Sequence, residues 1–285
     1  RSLVRSLLEA HGIAVVGSDA RACALADDKA AAKTRLGAAG IPTPPGIVAA
    51  SPADPLPGWL ASPCILKPAF EHMSRGLVLA RDRAETAAHL ADLLSRLAQP
   101  ILVETFIRGR EFAVSVVDGP GGLEVLPPLE WKTSDGPYDV LTEDFKLQAV
   151  EPGSRDTARA ELAPGELREL EALSLSAFRA LGLRDYARFD VRLSPGGTFF
   201  FMEANVTPSM EPEEALTHSA RWAGMDFPSL LERILARAAK RRSPTSAKGV
   251  QDTNVTLQTG AVSLQIPPGI HAPPPSTVEL ARLLD

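Results

Sequence analysis

The sequence predicts an α+β protein, and two features of its apolar pattern lead to that class. Amphipathic helical segments alternate with short apolar strands along the 285 residues. Several strands follow one another with only a turn between them, which favours antiparallel hairpins. With 45% apolar residues, the chain can bury the cores of two or three domains or subdomains.

The first forty residues contain two predicted helices and a strand. Apolar side chains at positions 3, 4, 7 and 8 predict a helix over residues 3–11, ended by Gly12, because glycine suits the position just past a helix. Residues 13–16 are apolar and predict a short buried strand. The Ala-rich run 20–39 predicts one helix that Gly40 stops.

The next sixty residues alternate strands with one helix. The segment IPTPPG forces an extended connection, because proline restricts its own φ and the residue before it. Apolar runs predict strands at residues 47–49 and 64–67, separated by a proline-rich loop. Residues 84–98 have the spacing of an amphipathic helix, and residues 101–107 predict a strand that runs into a tight connection.

The centre of the chain predicts two strands, a long loop and a helix. Residues 111–117 and 123–130 are apolar strands around a turn at 118–122. Residues 132–160 are polar and irregular, and a loop of that length is often functional. A Pro-Gly-Glu start predicts a helix over residues 164–182.

A change of composition marks the end of the main predicted domain. A helix is predicted at about 213–240, and residues 243–262 are then rich in Ser, Thr, Gln and Gly, which is typical of a linker. A strand, a proline-rich turn and a helix capped by Ser276 or Thr277 follow. The chain begins at Arg1 inside a helical pattern, which leaves open that it is a fragment.

The overall composition excludes several classes of partner. The net charge is −5, and the one basic block is Lys240–Arg242, so we do not expect nucleic-acid binding. No apolar run approaches the roughly 18 residues that a membrane span needs. Cys23 and Cys64 are far apart in apolar surroundings, which predicts two buried free thiols in a cytoplasmic protein.

Two short strands around the segment SPGG carry polar side chains at every second position. Arg188, Asp190 and Arg192 share one face of the first strand. We expect Phe201, Glu203 and Asn205 to share one face of the second. With SPGG as a four-residue loop, the prediction places Asp190 opposite Glu203 and Arg188 opposite Asn205. Two carboxylates directly across a ladder repel each other, and a buried pair of this kind needs a cation.

Magnesium is the cation that suits such a pair. It takes carboxylates together with phosphate oxygens and keeps some of its waters, and Asn205 can add a neutral oxygen for a second ion. The alternative is a solvated hairpin face with a surface Arg–Glu pair. The apolar run FFFM against the acidic face favours the metal.

Further charged residues stand at the ends of predicted strands and helices. Lys67 ends an apolar strand beside a proline, and the loop that reaches Gly76 can turn its backbone N–H groups toward an anion. Lys29 lies at or near a helix start, while Glu104 and Glu111 flank the segment TFIRGR. Taken singly, Lys29 also suits a surface lysine and Glu104 an ordinary charge at a strand end.

The order of these motifs resembles that of the ATP-grasp enzymes. The segments VGS, DKxxxK, GIPTP, ILKP, VETFIRGREFAV, ARFDVRL, FMEANVTPSM and AGMDFPSLLERIL stand in family order with similar spacing over about residues 3–240. Within that superfamily the chain is most similar to the D-alanine–D-alanine ligase branch of carboxylate–amine ligases. The resemblance implies two α+β subdomains that clamp ATP.

The resemblance also implies a division of the chain and a set of partners. Residues 1–25 would be the remnant of a truncated N-terminal α/β domain, 26–102 the central subdomain and 103–242 the C-terminal subdomain. Residues 243–285 would be a linker and the start of a further domain. The substrates would be a small carboxylate and an amine, and a homodimer is the family's common state.

The resemblance assigns nucleotide contacts to residues on the lysine side of the site. It implies phosphate contacts from Lys29 and Lys67, the adenine amino group on Glu104, hinge contacts from the backbone near Phe106 and Ile107, and ribose on Glu111.

The remaining implied roles concern metal and chemistry. Asp190 and Glu203 would bind one Mg²⁺, and Glu203 with Asn205 a second. Arg188 would face the developing charge of an acyl phosphate or tetrahedral intermediate. The implied reaction is phosphoryl transfer from ATP to a carboxylate, followed by attack of an amine to give an amide, ADP and phosphate.

The chain departs from the branch where the substrates would bind. The branch carries Gly-Ser-Ser after its KP lysine, whereas here Met73 replaces a serine that helps to order the substrate, and Ser74, a candidate catalytic residue, remains. Ser209 stands for a glycine, and Glu214 with Ala215 for the Ser-Leu pair that receives the acceptor's carboxylate. A glutamate repels a carboxylate, so we predict an acceptor other than D-alanine; the alternative is that Glu214 points to solvent.

Other features leave alternatives open. Lys132 and Lys146 both suit the lysine that contacts the terminal phosphate, with Lys146 favoured, and Tyr138 is a candidate to close over the substrate. The segment IPPGIHAPPPSTVELARLLD resembles the entry of class I methyltransferases, which would make the protein the ligase half of a fusion. A non-catalytic nucleotide-binding module is a further alternative, although the predicted metal ligands are all present.

Overall fold

A computed structural model describes residues 2–11, 13–71, 74–131 and 157–241, and the backbone of 255–259 and 262–266. Its helices are α1 Ser2–Ala10, α2 Ala20–Asp27, α3 Lys29–Ala38, α4 Arg83–Leu97, α5 Pro164–Ala180, α6 Ala215–Trp222 and α7 Phe227–Ala239. Its strands are β1 Gly46–Ala49, β2 Cys64–Pro68, β3 Val78–Ala80, β4 Ile101–Thr105, β5 Arg110–Gly119, β6 Gly122–Val125, β7 Leu129–Trp131, β8 Thr157–Arg159, β9 Tyr186–Leu193, β10 Phe199–Asn205, β11 Val255–Thr259 and β12 Val262–Ile266.

Two antiparallel sheets form the body of the molecule. The small sheet has the strand order β1-β4-β2-β3, and the large sheet has the order β10-β9-β5-β7-β8, with β6 also paired to β5. Strands β11 and β12 form a separate hairpin. The mixture of helices with antiparallel sheets confirms the predicted α+β class.

Helices cover both faces of the large sheet, which explains why β5 is apolar at nearly every position. On one face, side chains of α2, α3 and α5 pack with Phe112, Val114 and Val116. On the other face, α6 and α7 pack against Val117. A strand buried on both sides loses the alternation of apolar and polar residues. Helix α4 packs on the small sheet with Leu90 and Leu93.

Two helices that the sequence predicts as continuous are broken by capping residues. The predicted helix 20–39 is divided at Asp28, which leaves helical geometry and accepts from the backbone N–H groups of Ala30 and Ala31. The predicted helix 213–240 is divided at Asp226, which accepts from the N–H of Ser229. Buried positions continue at helical spacing through the first break, so periodicity alone did not reveal it, whereas no side chain is buried from residue 221 to residue 229 at the second break.

Two strand predictions are wrong. Residues 13–16 form no strand, and the carbonyls of Val15 and Val16 accept from arginine side chains instead of a neighbouring strand. The predicted strand 123–130 is two strands, because Pro127 and Pro128 interrupt the ladder. Strand β11 lies within the predicted linker, β12 matches the strand predicted after it, and the helix predicted next lies outside the described residues.

The acidic hairpin, formed by β9 and β10, has the predicted pairing, but its connection and register differ from those predicted. Asp190 lies opposite Glu203 and Arg188 opposite Asn205, as predicted. The connection has five residues, 194–198, and the register shifts between Phe201 and Glu203. This bulge places Phe201 on the core face, so the prediction that it shares a face with Glu203 is wrong.

The prediction of two buried free thiols is borne out within the described part of the chain. Cys23 and Cys64 are both buried and free. Of the helices described, none has the length and apolarity to cross a membrane. Helices α2 and α3 pack on the large sheet, although the sequence predicts residues 26–102 as one subdomain, and those boundaries stay a prediction.

Candidate active site

A cleft between the two sheets gathers about half of the predicted site residues. Its empty volume is about 700 Å³, part of it open to solvent. The side of the small sheet and α3 contributes basic and apolar groups, including Lys29, Lys67 and Phe106. The large sheet contributes Glu111, Asp190, Arg192, Met202 and Glu203. Residues some 175 positions apart in sequence therefore face each other across one opening.

Lys29 begins helix α3 and reaches across the cleft. Its amine donates a hydrogen bond to the Glu71 carbonyl and lies 3.7 Å from a Glu203 oxygen. Burial lowers the pKa of Lys29, and the charge of Glu203 opposes that shift. The lysine thus connects the loop after β2 with the acidic hairpin.

Lys67 lies on the side of the cleft formed by the small sheet and pairs with a carboxylate that does not line the cleft. Its amine is 2.6 Å from one oxygen of Glu104, whose other oxygen is 2.7 Å from the amine of Lys33. Burial alone would raise the pKa of the Glu104 carboxyl, but the two lysines lower it below its usual value. Lys67 lines the cleft, whereas Glu104 faces the lysines.

The acidic hairpin surrounds one buried guanidinium. Arg188 donates to both oxygens of Asp190, at 2.8 and 3.1 Å, and the Asn205 amide donates to Asp190 at 3.1 Å. Burial alone would lower the pKa of Arg188, but Asp190 raises it, with further contributions from Glu203 and Glu214. Three carboxylates therefore act on the same cation.

The predicted metal ligands lie together on the paired strands. Because of the bulge, Met202 and Glu203 both line the cleft, where Glu203 stands opposite Asp190. No three His, Cys, Asp or Glu side chains form a metal cluster in the described residues. The candidate set is therefore two carboxylates and the amide of Asn205.

Arg192 is a site residue that sequence reasoning missed. Its guanidinium donates to Glu111 at 2.8 and 2.6 Å and to the Ile107 carbonyl at 2.9 Å, and it stacks over the Phe106 ring at 5.0 Å. It fixes the wall that joins the two sheets. Its place two residues after Asp190, on the same strand face, was the available signal.

The other predicted residues are distributed less closely. Ser74 lines the cleft. The Phe106 N–H donates to the Pro63 carbonyl at 2.8 Å, so this hinge group is already bonded. Ser209 is exposed and accepts from the Glu211 N–H in a local turn, away from the cleft lining. Glu214 precedes α6 and acts electrostatically on Arg188.

Three predicted residues lie outside the described part of the chain. They are the phosphate-lysine candidates Lys132 and Lys146 and the lid candidate Tyr138. Met73 is also outside it. Their predicted roles remain predictions.

Comparison with known proteins gives one family. The family model of the D-ala D-ala ligase C-terminus matches residues 50–236. A D-alanine–D-alanine ligase from Synechococcus sp. (strain JA-2-3B'a(2-13)) is 31% identical over 261 residues, covering 90% of this chain and 77% of the relative. One from Stutzerimonas stutzeri (strain A1501) is 37% identical and covers 81% of this chain and 71% of the relative.

Solved structures agree with this result. The D-alanine–D-alanine ligase from Bacillus anthracis, solved in complex with ATP, superposes with a TM-score of 0.69 at 26% identity, covering 84% of this chain and 75% of that one. The ATP-grasp architecture predicted from the sequence is thereby confirmed. The chain belongs to the D-alanine–D-alanine ligase family of ATP-grasp enzymes, which are ADP-forming ligases that make carbon–nitrogen bonds.

Proposed function

We propose that the protein uses ATP to join a carboxylate to an amine other than D-alanine. The observation that carries the proposal is the cleft itself. Two buried lysines stand on one side, and the paired acidic strands with Arg188 stand on the other. This arrangement can hold a polyphosphate between cations while keeping carboxylates ready for a metal.

ATP fits the lysine side of the cleft. Lys29 and Lys67 place their amines near its floor, where little water competes for the phosphates. Glu111, held by Arg192, offers a carboxylate to the ribose hydroxyls. The solved relative in complex with ATP supports the same use of the fold.

Magnesium fits the acidic hairpin by the chemistry of its donors. Asp190, Glu203 and Asn205 supply hard oxygen atoms, and the bulge at Met202 turns Glu203 into the cleft. These residues would hold two ions. Bound there, magnesium would neutralise phosphate charge during transfer. In this structure Arg188 forms an ion pair with Asp190 and supplies the positive charge beside the two carboxylates.

The proposed chemistry needs no protein nucleophile. A carboxylate oxygen of the donor attacks the terminal phosphorus of ATP, and the bond to the ADP oxygen breaks. The resulting acyl phosphate is attacked at carbon by the amine, the carbon–oxygen bond to phosphate breaks, and the amine gives up a proton. Arg188, buried and positively charged, faces the oxygens on which negative charge grows.

The acceptor is the point at which we expect this protein to differ from its relatives. The resemblance assigns Glu214 to the position that receives an acceptor carboxylate, and the contribution of its charge to the raised pKa of Arg188 supports this assignment. A second carboxylate there would be repelled. We therefore propose an amine that lacks a carboxylate at this position or carries an additional cationic group.

Formation of ADP tests the proposed reaction. The full chain would be incubated with ATP, magnesium and a panel of amino acids and small amines, and ADP release measured for each pair. We expect release that needs both a carboxylate and an amine, and that falls at least about a hundredfold in Glu203→Gln because a carboxylate near the phosphates is lost. The exposed Glu169→Gln serves as the matched control.

Two outcomes would contradict this proposal. ATP binding without turnover for any pair would favour a non-catalytic nucleotide-binding module or a carrier-bound substrate. Full ADP release in Glu203→Gln would remove the acidic hairpin from the mechanism.

The acceptor proposal has its own test in Glu214→Ser. We expect the KM for the native cationic or carboxylate-free acceptor to rise about tenfold, because a favourable charge interaction is lost. The control is Glu213→Ser, which changes a neighbouring carboxylate that pairs with His218 and Arg221. An unchanged KM in Glu214→Ser would show that this carboxylate does not contact the acceptor.

A further inference from the structure

Three ionisable side chains are buried in a row behind the lysine wall of the cleft. Glu104 is 1% exposed and binds Lys33 with one carboxylate oxygen and Lys67 with the other. Lys67 reaches the cleft, whereas Lys33 and Glu104 lie behind it. Glu104 is not among the residues that line the cleft, so its predicted contact with adenine stays a prediction.

The fold holds each member of this row from a different element. Lys33 follows Lys29 by one turn of α3, so both lysines lie on the same face of the helix. Glu104 on β4 stands opposite Ile65 on β2. Lys67, two residues after Ile65, is therefore its diagonal neighbour on the same sheet face. The row therefore spans α3, β4 and β2.

A glycine on the edge strand leaves room for the Glu104 side chain. Gly46 pairs with Glu104, and a Cβ at Gly46 would lie 2.8 Å from the Glu104 Cγ and 2.6 Å from the Val103 carbonyl oxygen. These distances are too short for any other residue without a shift of the strand. The absence of a side chain at Gly46 thus lets the Glu104 side chain pack against β1 in the conformation that binds the two lysines.

The sum of charges explains why two lysines are needed. One carboxylate between two ammonium groups leaves one net positive charge behind the cleft. Without Lys33, Glu104 and Lys67 would form a neutral pair, and such a pair attracts a triphosphate far less than a free ammonium does. Burial makes the difference larger, because little water screens these groups.

We propose that Lys33 is a positioning residue of the nucleotide site, which neutralises Glu104 from behind so that the charge of Lys67 remains available to the phosphates of ATP. The inference rests on the proposed use of ATP. Besides Glu104 and Lys67, the charged group that acts on Lys33 is Glu203 on β10. Burial lowers the pKa of Lys33 to about 8, so the amine is mostly charged at pH 7.

Nucleotide binding without turnover tests this inference. Calorimetry on the full chain would measure the Kd of ATP and of adenosine for the wild type, Lys33→Met, Lys33→Met/Glu104→Gln and the exposed control Lys240→Met. We expect Lys33→Met to weaken ATP binding about tenfold, with little change for adenosine, because the lost attraction is to phosphate. The double variant should regain ATP affinity to within about threefold of the wild type, because the net charge is restored.

The double variant separates charge balance from a merely structural role. If Lys33 only stabilised the fold, a second substitution in the same buried row would weaken binding further. A double variant that binds ATP no better than Lys33→Met would overturn the inference. Equal losses of affinity for ATP and adenosine in Lys33→Met would also overturn it, because they would indicate that Glu104 contacts the adenine base. A wild type that binds no ATP would instead overturn the proposed function.

Discussion

At the scale of single residues, each of three buried cations around the cleft is paired with a carboxylate. Lys67 is held by Glu104 on β4, Arg188 by Asp190 on its own strand, and Arg192 by Glu111 on β5. A buried ion pair adds little net stability, but removing one partner is costly. The pairs therefore act mainly to fix where each charge points.

Arg192→Lys should weaken nucleotide binding although the charge is kept. A lysine cannot donate in a planar fork to Glu111 and also bond the Ile107 carbonyl while stacking on Phe106. We expect the Kd of both ATP and adenosine to rise about tenfold, because the wall beside the nucleoside loosens. Calorimetry would measure both.

The matched control for Arg192 is Arg110→Lys. Arg110 makes the same kind of forked pair with Glu130 and stacks over Phe112, but it does not line the cleft. Equal losses of affinity in the two variants would mean that general loosening of the large sheet, and not the cleft wall, carries the effect.

The pH dependence of ATP binding follows from Lys33. Its native pKa of about 8 is below that of an exposed lysine, so the amine loses its proton as the pH rises through about 8. ATP favours the charged form of the row, so affinity should fall between pH 7 and pH 9 by several-fold. Lys33→Met should lack this decrease, and parallel curves for the two proteins would contradict the assignment.

At the scale of elements, the connections between strands decide how closely the two sheets meet. Gly109 joins β4 to β5 with a φ of +128°, and a Cβ there would lie 1.9 Å from the Leu193 carbonyl oxygen. This is backbone-to-backbone contact, so no side-chain rotation can relieve it. The two sheets are held together at this point, next to Phe106 and Ile107.

Gly109→Ala should therefore destabilise the protein strongly. We expect the free energy of unfolding to fall by about 3 kcal/mol, because the substitution adds both backbone strain and a clash. Urea denaturation would measure it. Gly121→Ala is the control, since no atom lies within 4 Å of its Cβ, and it should change stability by less than about 0.5 kcal/mol. Similar losses in both variants would refute the role of close approach.

At the scale of the whole molecule, distant parts of the chain meet around one buried carboxylate. Asp185 is 0% exposed and accepts from the Gly17 N–H at 2.6 Å. Arg241, just past α7, donates to both of its oxygens and also to the Val15 carbonyl. The segment after α1, the start of β9 and the end of α7 are thus tied together.

Arg241→Met should leave Asp185 buried without its guanidinium. We expect a loss of about 3 kcal/mol in the free energy of unfolding, because an uncompensated buried charge remains. The control Arg237→Met breaks a more exposed pair with Asp118 and should cost less than about 1 kcal/mol. Thermal or urea unfolding would compare them, and an equal effect would contradict the role of burial.

The sequence by itself determined the class, the hairpin and the family. Period-two and helical spacing depend only on neighbouring residues, so most helices and strands were predictable within a few positions. The hairpin itself was predictable because a turn motif and alternation are both local, but the pairing of Asp190 with Glu203 also depends on the five-residue connection and the bulge. The motif order then indicated an ATP-grasp ligase, which the comparisons confirm.

Only the tertiary structure decided which charges meet. Lys33 and Glu104 are 71 positions apart, and no local pattern shows that Lys33 and Lys67 bind the same carboxylate. The bulge that turns Glu203 into the cleft, and the use of Arg192 to join Glu111 with Ile107, likewise depend on packing between the sheets. Burial removes competing water, so these long-range contacts, which leave no periodic trace in the sequence, set the charge of the site.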